Sequence, residues 1–360
     1  MIREESFGGW CPSGEQATFH SGERRVRTRI AVDAMGGDFA PEAIVEGVVL
    51  SVGELGADIM LVGDEAQIRR ELARHGAQNA PIAIEPATQV VGMHDSPAKA
   101  LRQKRDSSTS VAVGLVQQGH ADAVVSMGNT GAFMAFATRQ LGTVEGVDRA
   151  AIALVLPCST GNVVLLDAGA NADCRPEMFR QFALLGSAYA EAVLGEPKPR
   201  VGLLNMGEED TKGNELVRKA YALLAEAPVH FIGNIEGNHL FDGSADVVVC
   251  DGFAGNIVLK VAEGMAGLCV EMLQAGLQRS ITTRLGALLA RPALRQLKNR
   301  CDYSAYGGAL LLGVNGVCLV GHGRSTPEAV RRALQVVKQS AESGVLAHIK
   351  ERCAAVLAAA

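Results

Sequence analysis

Ten short runs rich in valine, isoleucine and leucine recur along the chain, and stretches with helical periodicity lie between most of them. This alternation is typical of strands that pair in parallel through helical crossovers, because both faces of such a sheet must be covered. The sequence therefore predicts an α/β fold, a three-layer α/β/α sandwich with a mainly parallel sheet. The predicted strands occupy residues 28–34, 57–63, 81–85, 122–126, 151–157, 162–168, 200–205, 229–233, 246–250 and 316–321.

Residues 1–27 precede this pattern and show no periodicity, so we expect a disordered N-terminal extension. From residue 28 to about 350 no linker rich in proline, glycine and serine divides the chain, which predicts a single domain. One stretch, residues 264–300, breaks the rhythm because it is helical throughout and no strand follows it. We interpret it as an amphipathic helical insertion.

Composition narrows the classes of function. The chain carries 34 Lys and Arg against 39 Asp and Glu, a net charge of −5, and a general nucleic-acid binder would instead present a basic face. Its eight cysteines contain no C-x-x-C pair, so neither a zinc site nor a disulfide framework is expected. No apolar run reaches the roughly 18 residues of a membrane span, and the N-terminus does not resemble a signal peptide. These features predict a cytoplasmic protein that does not bind nucleic acid.

Glycine and small polar residues follow most of the predicted strands. Ligands of open α/β sheets collect outside the carboxyl ends of the strands, where loops present free N–H groups. We expect several such loops, at one edge of the sheet, to share an anionic or acyl-bearing ligand, although a Gly-Asn pair in a single loop is also a common turn. The candidate binding residues are Asp33, Gly36, Gly37, Asp38, Ser126, Gly128, Asn129, Thr130, Asp167, Asn171, Asn205, Glu209, Asn234, Asp251, Gly255 and His322.

Two lysines are candidate cations for that ligand. Lys212 precedes a predicted helix and Lys260 lies within one, and each could bind phosphate or remain a solvated surface residue. His94 and Asp95 could form an acid/base pair, or Asp95 could serve a turn or cap. No dinucleotide fingerprint, Walker A motif or nucleophile elbow is present, and the acidic residues lack metal-ligand spacing, so we expect neither nucleotide nor metal.

Together the loops resemble the phosphate acyltransferase family of bacterial phospholipid synthesis (PlsX type). The resemblance spans residues 30–323, and its motifs stand in the expected order. They are IAVDAMGGD (30–38), HDSPAKALR (94–102), SMGNTGA (126–132), LLDAGAN (165–171), GLLNMGEEDTKGN (202–214), GNIEGN (233–238), DVVVCDGFAGNIVLK (246–260) and YGGALLLGVNG (306–316), followed by HG.

This resemblance implies a Rossmann-like sandwich similar to those of phosphate acetyltransferases and isocitrate dehydrogenases. It implies transfer of a fatty acyl group from acyl-[acyl carrier protein] to inorganic phosphate, without a cofactor. The acyl phosphate would supply a membrane glycerol-3-phosphate acyltransferase in phosphatidic acid synthesis. A homodimer at the inner face of the cell membrane is also implied, as are Lys212 and Asn256 as catalytic residues.

The residues suit this reaction because phosphate is itself the nucleophile, so no side chain need be acylated. Lys212 would bind phosphate or the oxyanion, and Asn256 would donate to the developing negative oxygen. Two alternatives remain open: a phosphate acetyl- or butyryltransferase that uses acyl-CoA, and a non-catalytic anion-binding scaffold.

Residues 271–300 carry six basic residues against one acid, Glu271. A basic amphipathic helix suits an anionic membrane surface or an acidic carrier protein, and the alternative is packing within a dimer interface. The predicted contact residues are Leu277, Ile281, Arg284, Leu285, Leu288 and Arg291.

Overall fold

The computed structural model describes residues 27–294 and 307–359. The predicted N-terminal extension therefore lies outside the described residues, except for Arg27. The strands of the described part are β1 (Arg29–Asp33), β2 (Asp58–Gly63), β3 (Ile82–Pro86), β4 (Ala123–Ser126), β5 (Ala151–Cys158), β6 (Gly161–Leu166), β7 (Arg200–Asn205), β8 (His230–Glu236), β9 (Val247–Val249), β10 (Ala309–Leu312) and β11 (Val317–Val320).

Helices connect most of these strands. They are α1 (Glu42–Leu55), α2 (Glu65–Arg74), α3 (Pro97–Gln103), α4 (Ser108–Gln117), α5 (Thr130–Leu141), α6 (Pro176–Tyr189), α7 (Glu215–Ala225), α8 (Gly252–Gln278), α9 (Ile281–Leu289), α10 (Pro327–Glu342) and α11 (Val345–Ala359). The helix α11 continues past residue 350, where the sequence predicts the domain to end.

Local sequence signals set the helix boundaries. The Asp64 carboxylate accepts from the N–H of Gln67 at the start of α2, and Asn214 caps α7 in the same way. At its other end α1 stops at Gly56, whose φ of 63° is the left-handed conformation that glycine adopts at low cost. These positions are recognisable from the sequence because each depends on neighbouring residues alone.

All eleven strands form one sheet in the order β3-β2-β1-β4-β11-β10-β5-β6-β9-β7-β8. Seven of the ten neighbouring pairs are parallel, and the three antiparallel pairs, β11/β10, β10/β5 and β5/β6, lie together at the centre. Helices cover both faces, which confirms the predicted three-layer α/β/α sandwich with a mainly parallel sheet.

The central antiparallel strands correct one prediction. Because three reversals separate β4 from β6, the strands β1, β4 and β11 end at one edge of the sheet, and β6, β7, β8 and β9 end at the opposite edge. The glycine-rich loops therefore do not share an edge. The carboxyl ends of β4 and β11 nevertheless lie at the same level of the sheet as the carboxyl end of β6, because one row of paired residues crosses the central strands. That row comprises Val125, Leu319, Leu310, Ala153 and Leu166.

The hydrophobic core differs between the two faces. On one face a continuous cluster reaches from Ile30 to Val249 and includes Phe179 and Phe182. On the other face the core divides into two clusters, one around Phe133 and one around Leu165, and Leu154 of β5 contacts both. The division leaves a gap over the central strands.

Two expectations about the last third of the chain are wrong. The strand β10 lies within the glycine-rich segment 306–316, which the sequence predicts as a loop, because it is a run of only four apolar residues between glycines. The predicted single helical stretch is interrupted after Gln278, because the hydroxyl of Ser280 accepts from the N–H of Thr283 and starts α9. Leu277 and Leu288 therefore lie on different helices. Ile281 begins α9, but its side chain, like residues 295–300, lies outside the described part.

The helix α8 is the longest of the described helices, and charged residues interrupt its apolar sequence. Among the described helices it is the one long and apolar enough to cross a bilayer, and almost none of it is buried. Length and composition alone are weak support for a span, and α8 carries Lys260, Glu263 and Glu271. Among the described cysteines, Cys158, Cys250, Cys318 and Cys353 are buried and Cys174 is half-buried, whereas Cys269 on α8 is exposed.

Candidate active site

A cavity of about 400 Å³ occupies the gap between the two core clusters, above the central strands. Its floor is apolar, with Ile152 and Leu154 of β5 beside Ala309 and Val320. The loops after β4, β6 and β11 and the second turn of α8 form its walls. Of the predicted site residues, four line this cavity: Gly128, Thr130, Asn256 and His322.

The loops at the β1/β4 edge are held by the buried carboxylate of Asp33. One of its oxygens accepts from the hydroxyls of Thr109 and Ser126, each at 2.7 Å, and the other accepts from the N–H of Met35 at 3.2 Å. The Ser126 hydroxyl in turn accepts from the N–H of Gly128 at 3.1 Å. Asp33 and Ser126 are completely or almost completely buried, so they fix the loop that presents Gly128 to the cavity.

Glycines allow these loops to approach one another. A Cβ on Gly36 would lie 2.7 Å from a carboxylate oxygen of Asp33. A Cβ on Gly37, whose φ is 107°, would lie 3.1 Å from the carbonyl oxygen of Gly323. The same carbonyl accepts from the N–H of Asp38 at 2.7 Å. The predicted residues 36–38 therefore brace the β1 and β11 loops against each other.

Asn129 caps α5 and also binds a neighbouring loop. Its Oδ1 accepts from the N–H of Ala132, and its Nδ2 donates to the carbonyls of Met93 at 3.0 Å and Asp95 at 2.9 Å. Met93 thereby comes to the cavity wall. The carboxylate of Asp95 accepts from the Lys104 ammonium and from the N–H of Gly92, and the Lys104 contact lowers its pKa. Asp95 therefore serves the turn, while His94 is exposed.

At the opposite edge, Asp167 organises the loop after β6. Its buried carboxylate accepts from the N–H groups of Ile152, Gly169 and Ala170, and from both the N–H and the side-chain amide of Asn171, at distances of 2.7–3.1 Å. Burial raises the pKa of Asp167, and these donors oppose that shift because they stabilise the charged form. The result is a fixed loop that brings Gly169 to the cavity wall.

The first turn of α8 packs directly on that loop. The N–H of Gly252 donates to the Asn171 carbonyl at 2.8 Å, and the N–H of Ala254 donates to the Asp251 carboxylate at 2.8 Å. A Cβ on Gly255 would lie only 1.9 Å from the Asp167 carbonyl oxygen. The N–H groups of Gly252, Ala254 and Gly255 thus all donate to protein oxygens. Asn256, one residue later, lines the cavity beside Gly169.

Lys212 lies outside the cavity lining, in the exposed loop that follows β7. Its N–H donates to the Glu209 carbonyl at 3.1 Å, and Asn205 and Asn234 bind the same turn. The sequence predicts Asn234 in a loop, but in the structure this residue lies inside β8. Because β7 and β9 are adjacent and parallel, this loop and the start of α8 leave the same edge of the sheet.

Several cavity residues are absent from the predicted site. Arg324 and Ser325 line the wall two and three residues after His322, so the segment HGRS (322–325) is the local sequence signal for them. Lys260, which the sequence offers as one of two candidate cations, also lines the cavity, and its ammonium lies 2.9 Å from the Glu263 carboxylate. Gly307 and Gly308 also line it, directly before β10, a strand that the sequence does not predict. Within residues 27–294 and 307–359, no group of three or more His, Cys, Asp and Glu side chains could hold a metal ion.

Comparison with known proteins decides the family. A family model described as "Fatty acid synthesis protein" matches residues 28–348. A phosphate acyltransferase of Heliobacterium modesticaldum is 51% identical over 90% of this chain and 97% of its own length. The corresponding protein of Pelotomaculum thermopropionicum is 49% identical over 89% of this chain and 94% of its own length. The chain belongs to the phosphate acyltransferase family.

Membership of this family makes the chain an acyltransferase, as the motifs indicate. Solved structures of low identity support the fold alone. The EutD phosphotransacetylase of Staphylococcus aureus superimposes with a TM-score of 0.57 at 15% identity, covering 88% of this chain and 94% of its own. A phosphotransacetylase of Streptococcus pyogenes gives a TM-score of 0.59 at 16% identity, over 88% and 94% of the two chains.

Proposed function

We propose that this phosphate acyltransferase moves a fatty acyl group from the thioester of acyl-[acyl carrier protein] to inorganic phosphate. The observation that carries the proposal is the cavity, which combines an apolar floor with the polar groups of Thr130, Asn256, Lys260 and Arg324. An apolar floor suits an acyl chain, and amide and cationic groups suit an anion and a developing oxyanion. The acyl phosphate would feed the glycerol-3-phosphate acyltransferase step of phospholipid synthesis.

In this mechanism a phosphate oxygen attacks the thioester carbonyl, and the tetrahedral intermediate collapses with loss of the carrier thiolate. Asn256 Nδ2 donates to the oxyanion, and the Lys212 ammonium binds phosphate or the oxyanion from the adjacent loop. The family resemblance and the shared sheet edge support pairing these two residues. Phosphate supplies the nucleophile, so the thioester is cleaved without an acyl-enzyme.

The test is an acyl-phosphate assay in which hydroxylamine traps the product formed from acyl-[acyl carrier protein] or from acyl-CoA. Product from the carrier substrate alone supports the proposal, and equal product from short-chain acyl-CoA favours the phosphate acetyl- or butyryltransferase alternative. Lys212→Ala should lower turnover by roughly 10²-fold, as removal of one oxyanion donor typically does. Lys219→Ala is the control, because Lys219 pairs with Glu215 on the outer surface of α7. Near-normal turnover in Lys212→Ala refutes the role of that lysine.

We also propose a homodimer in the cytoplasm that associates peripherally with the inner face of the membrane through α9. Leu285, Leu288 and Leu289 are 60%, 62% and 79% exposed, and Arg284 and Arg291 lie beside them. Apolar and basic residues together suit an anionic lipid surface. The double variant Leu285→Glu, Leu288→Glu should lose flotation with anionic liposomes, whereas Leu50→Glu, at an exposed leucine of α1, should retain it. Unchanged flotation of the double variant, with the dimer intact, contradicts membrane binding by α9.

A further inference from the structure

Two asparagines from neighbouring strands hold the turn that carries Lys212. Asn205, the last residue of β7, donates its Nδ2 to the Lys212 carbonyl at 3.2 Å. Asn234, in β8, donates its Nδ2 to the Glu209 carbonyl at 2.8 Å. The same Glu209 carbonyl accepts from the N–H of Lys212 at 3.1 Å, which closes the turn. The turn is therefore bound at both of its ends.

Asn234 is well placed for this task. The register of β8 against β7 shifts between Val201 and Gly202, and Gly233 has a φ of 99° at this irregularity. Asn234 is only 7% exposed, and its Oδ1 has no hydrogen-bond partner among the described residues. Reversing the amide would set Oδ1 against the Glu209 carbonyl oxygen, so the bond from Nδ2 fixes the orientation of the side chain.

The side chain of Lys212 leaves this turn in a confined direction. A Cβ on Gly207, which is buried, would lie 3.0 Å from the Lys212 Cγ, so the aliphatic stem of the lysine runs along the Gly207 backbone. Gly213 follows with a φ of 90°, and a Cβ there would lie 2.7 Å from the Asn205 Oδ1. The glycines on both sides thus let the turn sit against Asn205.

We propose that Asn205 and Asn234 are positioning residues that set the direction of the Lys212 side chain and do not themselves bind phosphate. The Nδ2 of each residue donates to a main-chain carbonyl of the turn, and neither residue lines the cavity. The inference rests on the proposed catalytic role of Lys212. It reassigns two residues that the sequence suggests as ligands of the substrate.

A double-mutant cycle tests this inference in the full-length enzyme. Displacing a catalytic group by about 1 Å can cost about 10²-fold in rate, so Asn234→Ala should lower kcat by roughly 10-fold to 10²-fold when Lys212 is present. In a Lys212→Ala background the same substitution should lower kcat by less than about 2-fold, because there is no lysine left to misplace. A residue that binds phosphate directly would instead lower kcat/KM by the same factor in both backgrounds.

A second measurement separates positioning from general damage. Competitive labelling with an amine reagent, read by mass spectrometry, should show an altered rate at Lys212 in Asn234→Ala and an unchanged rate at Lys219. The control is Asn315→Ala, which removes a comparable bond from an amide to the Thr143 carbonyl at 2.8 Å and should leave kcat unchanged. If Asn234→Ala does not fold, Asn205→Ala tests the other side of the turn.

The outcomes distinguish the two proposals. Near-normal kcat in Lys212→Ala refutes the catalytic lysine. A large loss in Lys212→Ala, combined with normal kcat and normal Lys212 labelling in Asn234→Ala, refutes the positioning role alone. Equal losses from Asn234→Ala with and without Lys212 also overturn it, because they indicate direct contact with the substrate.

Discussion

Replacing Gly255 by alanine should damage both stability and turnover. The glycine is the fourth residue of α8, and a Cβ there would lie 1.9 Å from the Asp167 carbonyl oxygen and 2.9 Å from the Cys250 Sγ. The first contact falls 1.5 Å short of the 3.4 Å at which ordinary van der Waals contact begins. A main-chain carbonyl cannot rotate away as a flexible side chain does, so either α8 or the loop after β6 must move.

The size of the effect follows from that displacement. Forcing an extra carbon into a well-packed interior typically costs about 1–3 kcal/mol. Asn256 follows directly in the chain and packs against Gly169, so a shift of α8 also moves its amide relative to the cavity. A misplacement of about 1 Å can cost about 10²-fold in rate, and we expect a loss of turnover of that order.

Urea unfolding and the acyl-phosphate assay measure the two effects. The same helix offers a matched control in Gly264, which is exposed and would place a Cβ in open space. Gly264→Ala should stabilise the protein by up to about 1 kcal/mol, because alanine is the better helix former, and should leave turnover unchanged. If Gly255→Ala matches Gly264→Ala in both measurements, the packing of α8 on the Asp167 loop is wrong.

Three further predictions concern other parts of the structure. Ser126→Ala removes a hydroxyl from the buried carboxylate of Asp33 and should destabilise the protein by about 1–3 kcal/mol in urea unfolding; an unchanged midpoint would contradict the network. The Asp242 carboxylate raises the pKa of His239, and the pKa of Asp242 is lowered to about 2. Their ion pair therefore stabilises the fold fully below the ordinary histidine pKa, and this stabilisation is lost as the pH rises through the raised pKa of His239. At the acid end the stabilisation is lost as the pH falls through about 2, the lowered pKa of Asp242. Asp242→Asn should lower the His239 midpoint in an NMR titration, and a midpoint that stays in place would show that the pair does not form. Burial raises the pKa of the Cys318 thiol to about 12, so thiol reagents should label it only after unfolding, and rapid labelling of the native protein would contradict its burial.

Much of the local structure is readable from the sequence. The ten predicted strands correspond to β1–β9 and β11, because each is a run of β-branched and apolar residues bounded by glycine or polar residues. Helix starts such as those at Asp64 and Asn214 are readable because each depends on one side chain that accepts from an N–H group three residues later. The motifs were also sufficient to indicate the family, because they lie in contiguous segments of the chain.

The sequence predicted only part of the candidate site. Asn256 and His322 line the cavity, whereas Asp33 and Asp167 are buried supports that no motif distinguishes from ligands. Their roles depend on Thr109 and Ile152, whose donors come from other parts of the chain. Arg324 lines the cavity two residues after His322 and is absent from the predicted site.

The sequence by itself determined which segments form strands and helices and which family the chain resembles, because those features depend on neighbouring residues. Only the tertiary structure decided how the strands are ordered. Leu310 pairs with Ala153 and also with Leu319, and such pairings between distant residues reverse the sheet at its centre. This reversal sends the glycine-rich loops to opposite edges of the sheet. The loops after β4, β6 and β11 nevertheless meet over the central strands, where they form the walls of one cavity.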